Sequence, residues 1–191
     1  MGPLLGKGIF TSDGEHWAHS RAMVRPNFVK EQIADIKAFE QHIGDLFALI
    51  PRDGSTVDLQ DLFFRFTIDT STEFLFGKGT DELKAALRGD DNQGFAWAFN
   101  YSLSSIVYRF RIGALNKLLK DPYPQELQAG KIVHNFVDQF VDDAVEYRRM
   151  HDMEKAQSDE KYVFLRELTK QTTDKKRLRD ETLNILLAGR E

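Results

Sequence analysis

Cysteine is missing from all 191 positions of the sequence. That absence excludes disulfides, thiolate nucleophiles, thiolate zinc sites and any iron centre ligated by a cysteine of these residues. Long apolar runs are lacking as well. The longest, Leu46 to Ile50 and Phe95 to Phe99, have five residues, against the about 20 that a membrane-spanning helix needs. There is no surplus of positive charge: 26 basic against 30 acidic residues leave a formal charge of −4, and nothing at the scale of a field favours nucleic acid or anionic lipid. After Met1, the run Gly-Pro-Leu-Leu-Gly-Lys-Gly has neither the basic stretch nor the apolar core of a signal or transit peptide. Proline is scarce too, and its five occurrences mark the firm breaks in a chain without repeats or low-complexity tracts.

What is present suits a folded chain. Hydrophobic content of 41% with 15 Phe, 5 Tyr and 2 Trp supplies a core, and at about 150 residues per domain the length fits one domain or a large piece of one. The dominant period is helical. Val29, Ile33, Ile36, Phe39, Ile43, Leu46, Phe47 and Ile50 predict one long amphipathic helix ended by Pro51 and Gly54. Asp58 is a candidate N-cap for a second, with Leu59, Leu62, Phe63, Phe66, Thr70 and Phe74 on one stripe and Gly77 as its stop. Gly89 to Asn92 reads as a loop. From Phe95 the aromatics alternate, which fits a strand formally, but the Ala, Leu and Ser between them favour helix.

Beyond Pro122 and Pro124, Val133, Phe136, Val137, Phe140, Val141, Ala144 and Val145 oppose Asp138, Asp142, Asp143 and Glu146 in the cleanest amphipathic helix. Short helical stretches over Tyr162 to Thr169 and from about Asp174 bring the count to roughly six, with no convincing sheet. The predicted class is all-α. The last stretch is still gaining apolar residues (Leu183, Ile185, Leu186, Leu187) near Glu191, so the expectation is a chain cut within a helix. A C-terminal glycine stop at Gly189 is the alternative.

Trp17 and Arg21 lie four apart and share a helix face. An indole N–H and a guanidinium aimed together can hold a carboxylate, the arginine bidentately; a core tryptophan with an arginine stacked over it fits the same spacing. Other patterns are weaker. His16 and His19 follow Glu15 in the order E-H-x-x-H, not H-E-x-x-H, and His42, His134 and His151 fall on separate helices, so metal binding has no basis. Gly77-Lys78-Gly79 and Gly6-Lys7-Gly8 lack the Ser or Thr a phosphate loop requires after lysine. Asp69 and Glu73 could form a carboxylate pair but read as a solvated face. Arg148 and Arg149, Lys175 to Arg177 and Arg179 read as solvated helix ends. Ala188 and Gly189 leave a gap in an apolar helix where something flat could approach, with Glu191 at its mouth as a candidate proton relay.

In order and in motif these segments resemble the cytochrome P-450 haem-thiolate monooxygenases. D-G-E-H-W-A-H-S-R-A-M-V-R-P-N-F at 13–28 is similar to the family's helix C, R-F-T-I-D-T-S-T-E-F-L-F-G at 65–77 to helix E, and L-N-I-L-L-A-G-R-E at 183–191 to the first half of helix I. The resemblance implies a partial fold running from before helix C to mid-helix I, one partial domain over 1–191, with 93–111 as helix F and 125–153 as helix G over the substrate channel. It implies haem as cofactor, with Trp17 and Arg21 at a propionate, Ala188 and Gly189 against the haem, and Glu191 at the acidic position.

Within the family the texture is similar to the fungal microsomal members that hydroxylate alkanes and fatty acids, which implies an apolar substrate, a reductase partner and, for the parent enzyme, the endoplasmic reticulum membrane. The threonine of oxygen activation, the E-x-x-R motif, the cysteine loop, the anchor and most of the sheet would lie outside these residues. The chain alone is then expected to be inactive, to hold haem loosely, and to expose apolar faces on helices D, E, G and I. A non-catalytic helical interaction module is the rival expectation.

Overall fold

A computed structural model describes residues 2–28, 37–90, 94–113, 121–151 and 163–189. Among these there are nine α-helices and no strand: α1 (Gly2–Leu5), α2 (Gly14–Val24), α3 (Lys37–Ala48), α4 (Leu59–Phe76), α5 (Glu82–Leu87), α6 (Phe95–Ile112), α7 (Glu126–His151), α8 (Phe164–Thr169) and α9 (Lys175–Ala188). A 3-10 turn, Arg25–Phe28, extends α2. The all-α expectation holds. Residues 29–36 of the predicted 29–50 helix, part of the 89–92 loop, and Glu191 lie outside the described residues.

Helix α4 begins and ends where its sequence dictates. The Asp58 carboxylate accepts from the N–H groups of Gln60 and Asp61, and Gly77 sits at φ 79°, donating its N–H to Glu73. A left-handed φ costs a glycine nothing, so the helix stops there. α7 is the spine. Its buried face, Ala129, Val133, Val137, Val141 and Ala144, repeats every three or four residues and packs on α6, α8, α9 and α1. Phe95 stacks on Phe136 with centroids 4.1 Å apart, and Phe76 on Phe140 at 4.6 Å. A smaller cluster of Leu46, Leu62 and Leu83 joins α3, α4 and α5.

Ion pairs connect the polar face of α7 to α9. Arg179 reaches Asp138 at 2.7 Å and Lys175 reaches Asp142 at 2.8 Å. The basic cluster at the start of α9 is therefore cross-linked to a neighbouring helix, a correction to the solvated-end expectation. Arg109, paired with Asp121 and Glu126, ties the end of α6 to the start of α7.

The expected open apolar faces appear on α3 and α4, where Phe39, Ile43, Phe47, Leu59 and Phe63 are exposed. The apolar stripes of α7 and α9 differ. Val133, Val137, Val141, Leu178, Leu183 and Leu186 are all buried, because α7 and α9 pack on each other and on α8.

Candidate functional site

Helix α2 turns one face inward and leaves the other free. Ser20, Met23 and Val24 are buried. The Ser20 hydroxyl accepts from the Arg177 guanidinium at 3.2 Å, and Gln171 donates to the Met23 carbonyl at 2.9 Å, so the helix is fixed to α9 and to the residues before it. On the outer face the Arg21 guanidinium carbon stands 5.4 Å from the centroid of the Trp17 ring. The stacking is that of the core-tryptophan alternative, but the burial is not, since Trp17 is 41% exposed. Among the described residues no carboxylate pairs with Arg21 and no acceptor meets the Trp17 indole N–H. Two donors thus share one helix face without a partner among the described residues. No group of three His, Asp or Glu among the described residues could hold a metal ion.

Ala188 and Gly189 are adjacent in sequence but turn about 100° apart around a helix of 3.6 residues per turn. Gly189 faces α4. A Cβ there would lie 2.6 Å from the Ser71 hydroxyl oxygen, and that hydroxyl donates to the Gly189 carbonyl at 3.0 Å. The glycine therefore has a close neighbour within the protein that accounts for its missing side chain. Its φ of −78° and ψ of −4° keep it in helical territory, not in the left-handed conformation of a glycine stop. Ala188 is exposed and continues the stripe of Arg177, Glu181 and Asn184. Trp17, Arg21, Ala188 and Gly189 are all exposed, and Gly189 in addition meets Ser71 of α4.

Three further residues of α9, absent from the sequence expectations, organise the approach to α2. The Asp180 carboxylate accepts the N–H of Lys7 at 2.9 Å, Glu181 that of Ile9 at 3.2 Å, and the Asn184 side-chain oxygen that of Phe10 at 2.9 Å. Asn184 also donates to the Leu5 carbonyl at 2.9 Å. All three side chains are buried. Two glycines make this approach possible: a Cβ at Gly6 would fall 2.1 Å from the Asp180 carboxyl carbon, and one at Gly8 would fall 2.5 Å from the Asn184 amide nitrogen. Asp180, Glu181 and Asn184 among the leucines of α9, matched by a Gly-x-Gly segment near the start of the chain, were the available signal.

Asp69 and Glu73 do not form a solvated face. Asp69 is 0% exposed and accepts from the Thr80 hydroxyl at 2.6 Å and from the N–H groups of Glu82 and Leu83 at 2.9 and 3.0 Å. It caps α5 from a distance, because the local Asp81 sits at φ 58° and makes no side-chain cap. Glu73 meets buried His42 at 2.7 Å. These two carboxylates build structure. Beside them burial, reinforced by the Asp69 charge, pushes the Glu82 carboxyl above the ordinary carboxylate range, against the pull of Arg65.

A family model described as Cytochrome P450 matches residues 2–191. Among curated proteins, Cytochrome P450 monooxygenase himC of Aspergillus japonicus is 49% identical over 195 residues, covering 100% of this chain and 34% of that protein. Cytochrome P450 monooxygenase fsdH of Fusarium heterosporum is 43% identical over 201 residues, with coverage of 100% and 35%. Cytochrome P450 52A5 of Candida maltosa is 44% identical over 198 residues, with coverage of 99% and 36%. The chain spans about a third of the length of the curated relatives it matches.

Proposed function

The chain belongs to the cytochrome P450 family, and from that premise we propose that it forms part of a haem-dependent monooxygenase acting on an apolar substrate of the fatty-acid or alkane type. Haem is the family's cofactor, and when bound it supplies the activation of O₂ from which one oxygen atom enters the substrate. Electrons come from a reductase partner, and the endoplasmic reticulum membrane is the proposed location of the parent enzyme.

One observation carries the placement of haem on this chain. Trp17 and Arg21 present an exposed indole N–H and guanidinium for which the described residues provide no acceptor, and a haem propionate is a carboxylate of the kind such a pair holds. Ala188, small and exposed at the end of α9, leaves room for the flat face of the ring. Gly189 contributes by letting α9 lie against Ser71 of α4, which sets the position of the last helical turn. Glu191 is proposed to relay a proton through its carboxylate. The 191 residues contain no cysteine, so the iron's thiolate has to be supplied from elsewhere, and the chain alone is proposed to lack monooxygenase activity.

The test is a haem titration of the isolated chain followed by absorbance. Weak, unsaturated binding without the spectrum of a thiolate-ligated iron is expected. Tight 1:1 binding would overturn the proposal of an inactive, loosely loaded chain. A cooperative unfolding transition with no haem response at all would favour the interaction module, for which the exposed apolar residues of α3 and α4 are the supporting observation.

A further inference from the structure

The two contacts assigned to haem sit on different helices, Trp17 and Arg21 on α2 and Ala188 on α9, so their usefulness depends on what fixes one helix relative to the other. Beyond the apolar cluster that Met23 and Val24 share with Leu178, the side-chain hydrogen bond between the two helices among the described residues is that of Arg177 to Ser20 at 3.2 Å. The rest of the connection runs through the segment before α2. Its N–H groups at Lys7, Ile9 and Phe10 are held by Asp180, Glu181 and Asn184, and the Leu5 carbonyl is held by Asn184.

On α9, Arg177, Glu181, Asn184 and Ala188 step along one stripe at spacings of four, three and four. From Arg177 to Ala188 is about 16 Å at 1.5 Å per residue. The segment from Phe10 to Ser20 is thus pinned to α9 at two points, Asn184 and Arg177, about 10 Å apart, and Ala188 lies one turn beyond the first of them. On α2, Trp17 lies about one turn before Ser20, the residue held at the second, and Arg21 directly follows it.

The polar character of this contact needs a reason. Buried carboxylates carry a desolvation cost that apolar residues of similar size do not, and Leu or Ile at 180, 181 and 184 would have given α9 an unbroken apolar face. What an apolar face cannot do is fix register. Three acceptors aimed at three particular N–H groups, over two glycines that admit no Cβ at this distance, allow the loop one position on the helix. Asp180 is further held by Lys176 at 2.5 Å and Glu181 by Arg177 at 3.3 Å, so the acceptors are themselves oriented.

We propose that Asp180, Glu181 and Asn184 are positioning residues: a polar latch that sets the distance between the Trp17–Arg21 carboxylate grip and Ala188, and so fits the two sides of the cofactor site to one planar ligand. The proposal rests on the assignment of Trp17 and Arg21 to a propionate. It differs from a purely structural role because loosening the latch weakens the ligand while the helices persist.

The experiment uses the 191-residue chain in a Trp97→Phe background, which leaves Trp17 as the only indole. Asn184→Leu breaks the latch from the helix, Gly8→Ala breaks it from the loop without altering α9, and Asp180→Ala and Asp180→Asn form a deletion and rescue pair. Hydrogen exchange at the amides of Lys7, Ile9 and Phe10 reads the latch, protection in α7 reads the fold, and quenching of Trp17 fluorescence by haem reads the site.

The latch predicts at least about tenfold faster exchange at Ile9 and Phe10 in Asn184→Leu and Gly8→Ala, with α7 protection retained. Haem affinity should fall by a similar factor in both. Asp180→Asn, which keeps an acceptor oxygen, should restore protection of Lys7 and quenching that Asp180→Ala loses. Unchanged quenching in variants whose loop amides have become unprotected overturns the latch alone. Absence of quenching in the unmodified chain overturns the Trp17–Arg21 assignment and the latch with it.

Discussion

Replacing Gly189 by alanine separates two explanations for a glycine near the end of α9, contact with a flat ligand and contact with α4. The added Cβ would lie 2.6 Å from the Ser71 hydroxyl oxygen, 3.3 Å from the Ser71 Cβ and 3.8 Å from the Ile185 carbonyl oxygen. The first distance is impossible, so the hydroxyl has to swing away and give up its 3.0 Å bond to the Gly189 carbonyl. A hydrogen bond of this kind is worth about 1 kcal/mol net, toward the lower end because the site is exposed. The 3.3 Å carbon contact adds a strain of about 1 kcal/mol.

Ser71→Ala removes the hydroxyl but keeps the Cβ, so the carbon contact is common to both backgrounds and cancels in a double-mutant cycle. The expected coupling is about 1 kcal/mol. At roughly 2–4 °C per kcal/mol for a chain of this size, Gly189→Ala should lower the melting temperature by about 3–7 °C alone and by about half that in Ser71→Ala. The assay is thermal unfolding of the four proteins without haem. Equal losses in both backgrounds would refute the hydroxyl's part in the contact, and no effect in either would refute the helix-contact explanation and return the glycine to the ligand.

Asp69→Ala should be far more damaging, because it strands the buried N–H groups of Glu82 and Leu83 and the Thr80 hydroxyl. About 3–5 kcal/mol is expected from the lost remote cap and its charge-assisted bonds, measured by urea unfolding, and a loss under 1 kcal/mol would contradict the assigned role. Glu82→Gln tests the raised carboxyl. A carboxyl whose folded pKa lies above its unfolded value contributes stability that is present below about pH 4.5 and is lost as pH rises through the folded pKa. The stability of Glu82→Gln relative to the unmodified chain should therefore climb between pH 4 and pH 7, and a flat difference in melts at the two pH values would count against it.

Much of the architecture was legible because short-range chemistry decides it. Asp58 and Gly77 bracket α4 through their own cap and their own φ, and the valines of α7 state its inner face at a glance. Side-chain assignments failed where the deciding partner was distant in sequence. Phe39, Ile43 and Phe47 follow helical spacing yet face outward, while His42 and Leu46 are the buried members of α3, because Glu73 lies across from His42. Asp69 looked like a surface carboxylate since nothing local reveals that α5 lacks a cap of its own. The candidate site was half legible. The spacing of Trp17 and Arg21 announces a shared face, but their lack of a partner among the described residues and the grip of α9 on residues 7–10 appear only when elements about 170 residues apart are brought together.

The central claim is that Trp17 and Arg21 hold a carboxylate of haem, and the most direct measurement compares haem with its dimethyl ester, in which both carboxylates are blocked. Titrated into the 191-residue chain in the Trp97→Phe background and followed by quenching of Trp17, the ester should bind about tenfold more weakly, as expected for about 1.4 kcal/mol of charge-assisted hydrogen bonding. In Arg21→Ala, which leaves only the Trp17 N–H, the preference should shrink severalfold. Equal affinity of haem and ester for the Trp97→Phe chain, or a preference for haem undiminished by Arg21→Ala, would contradict the account.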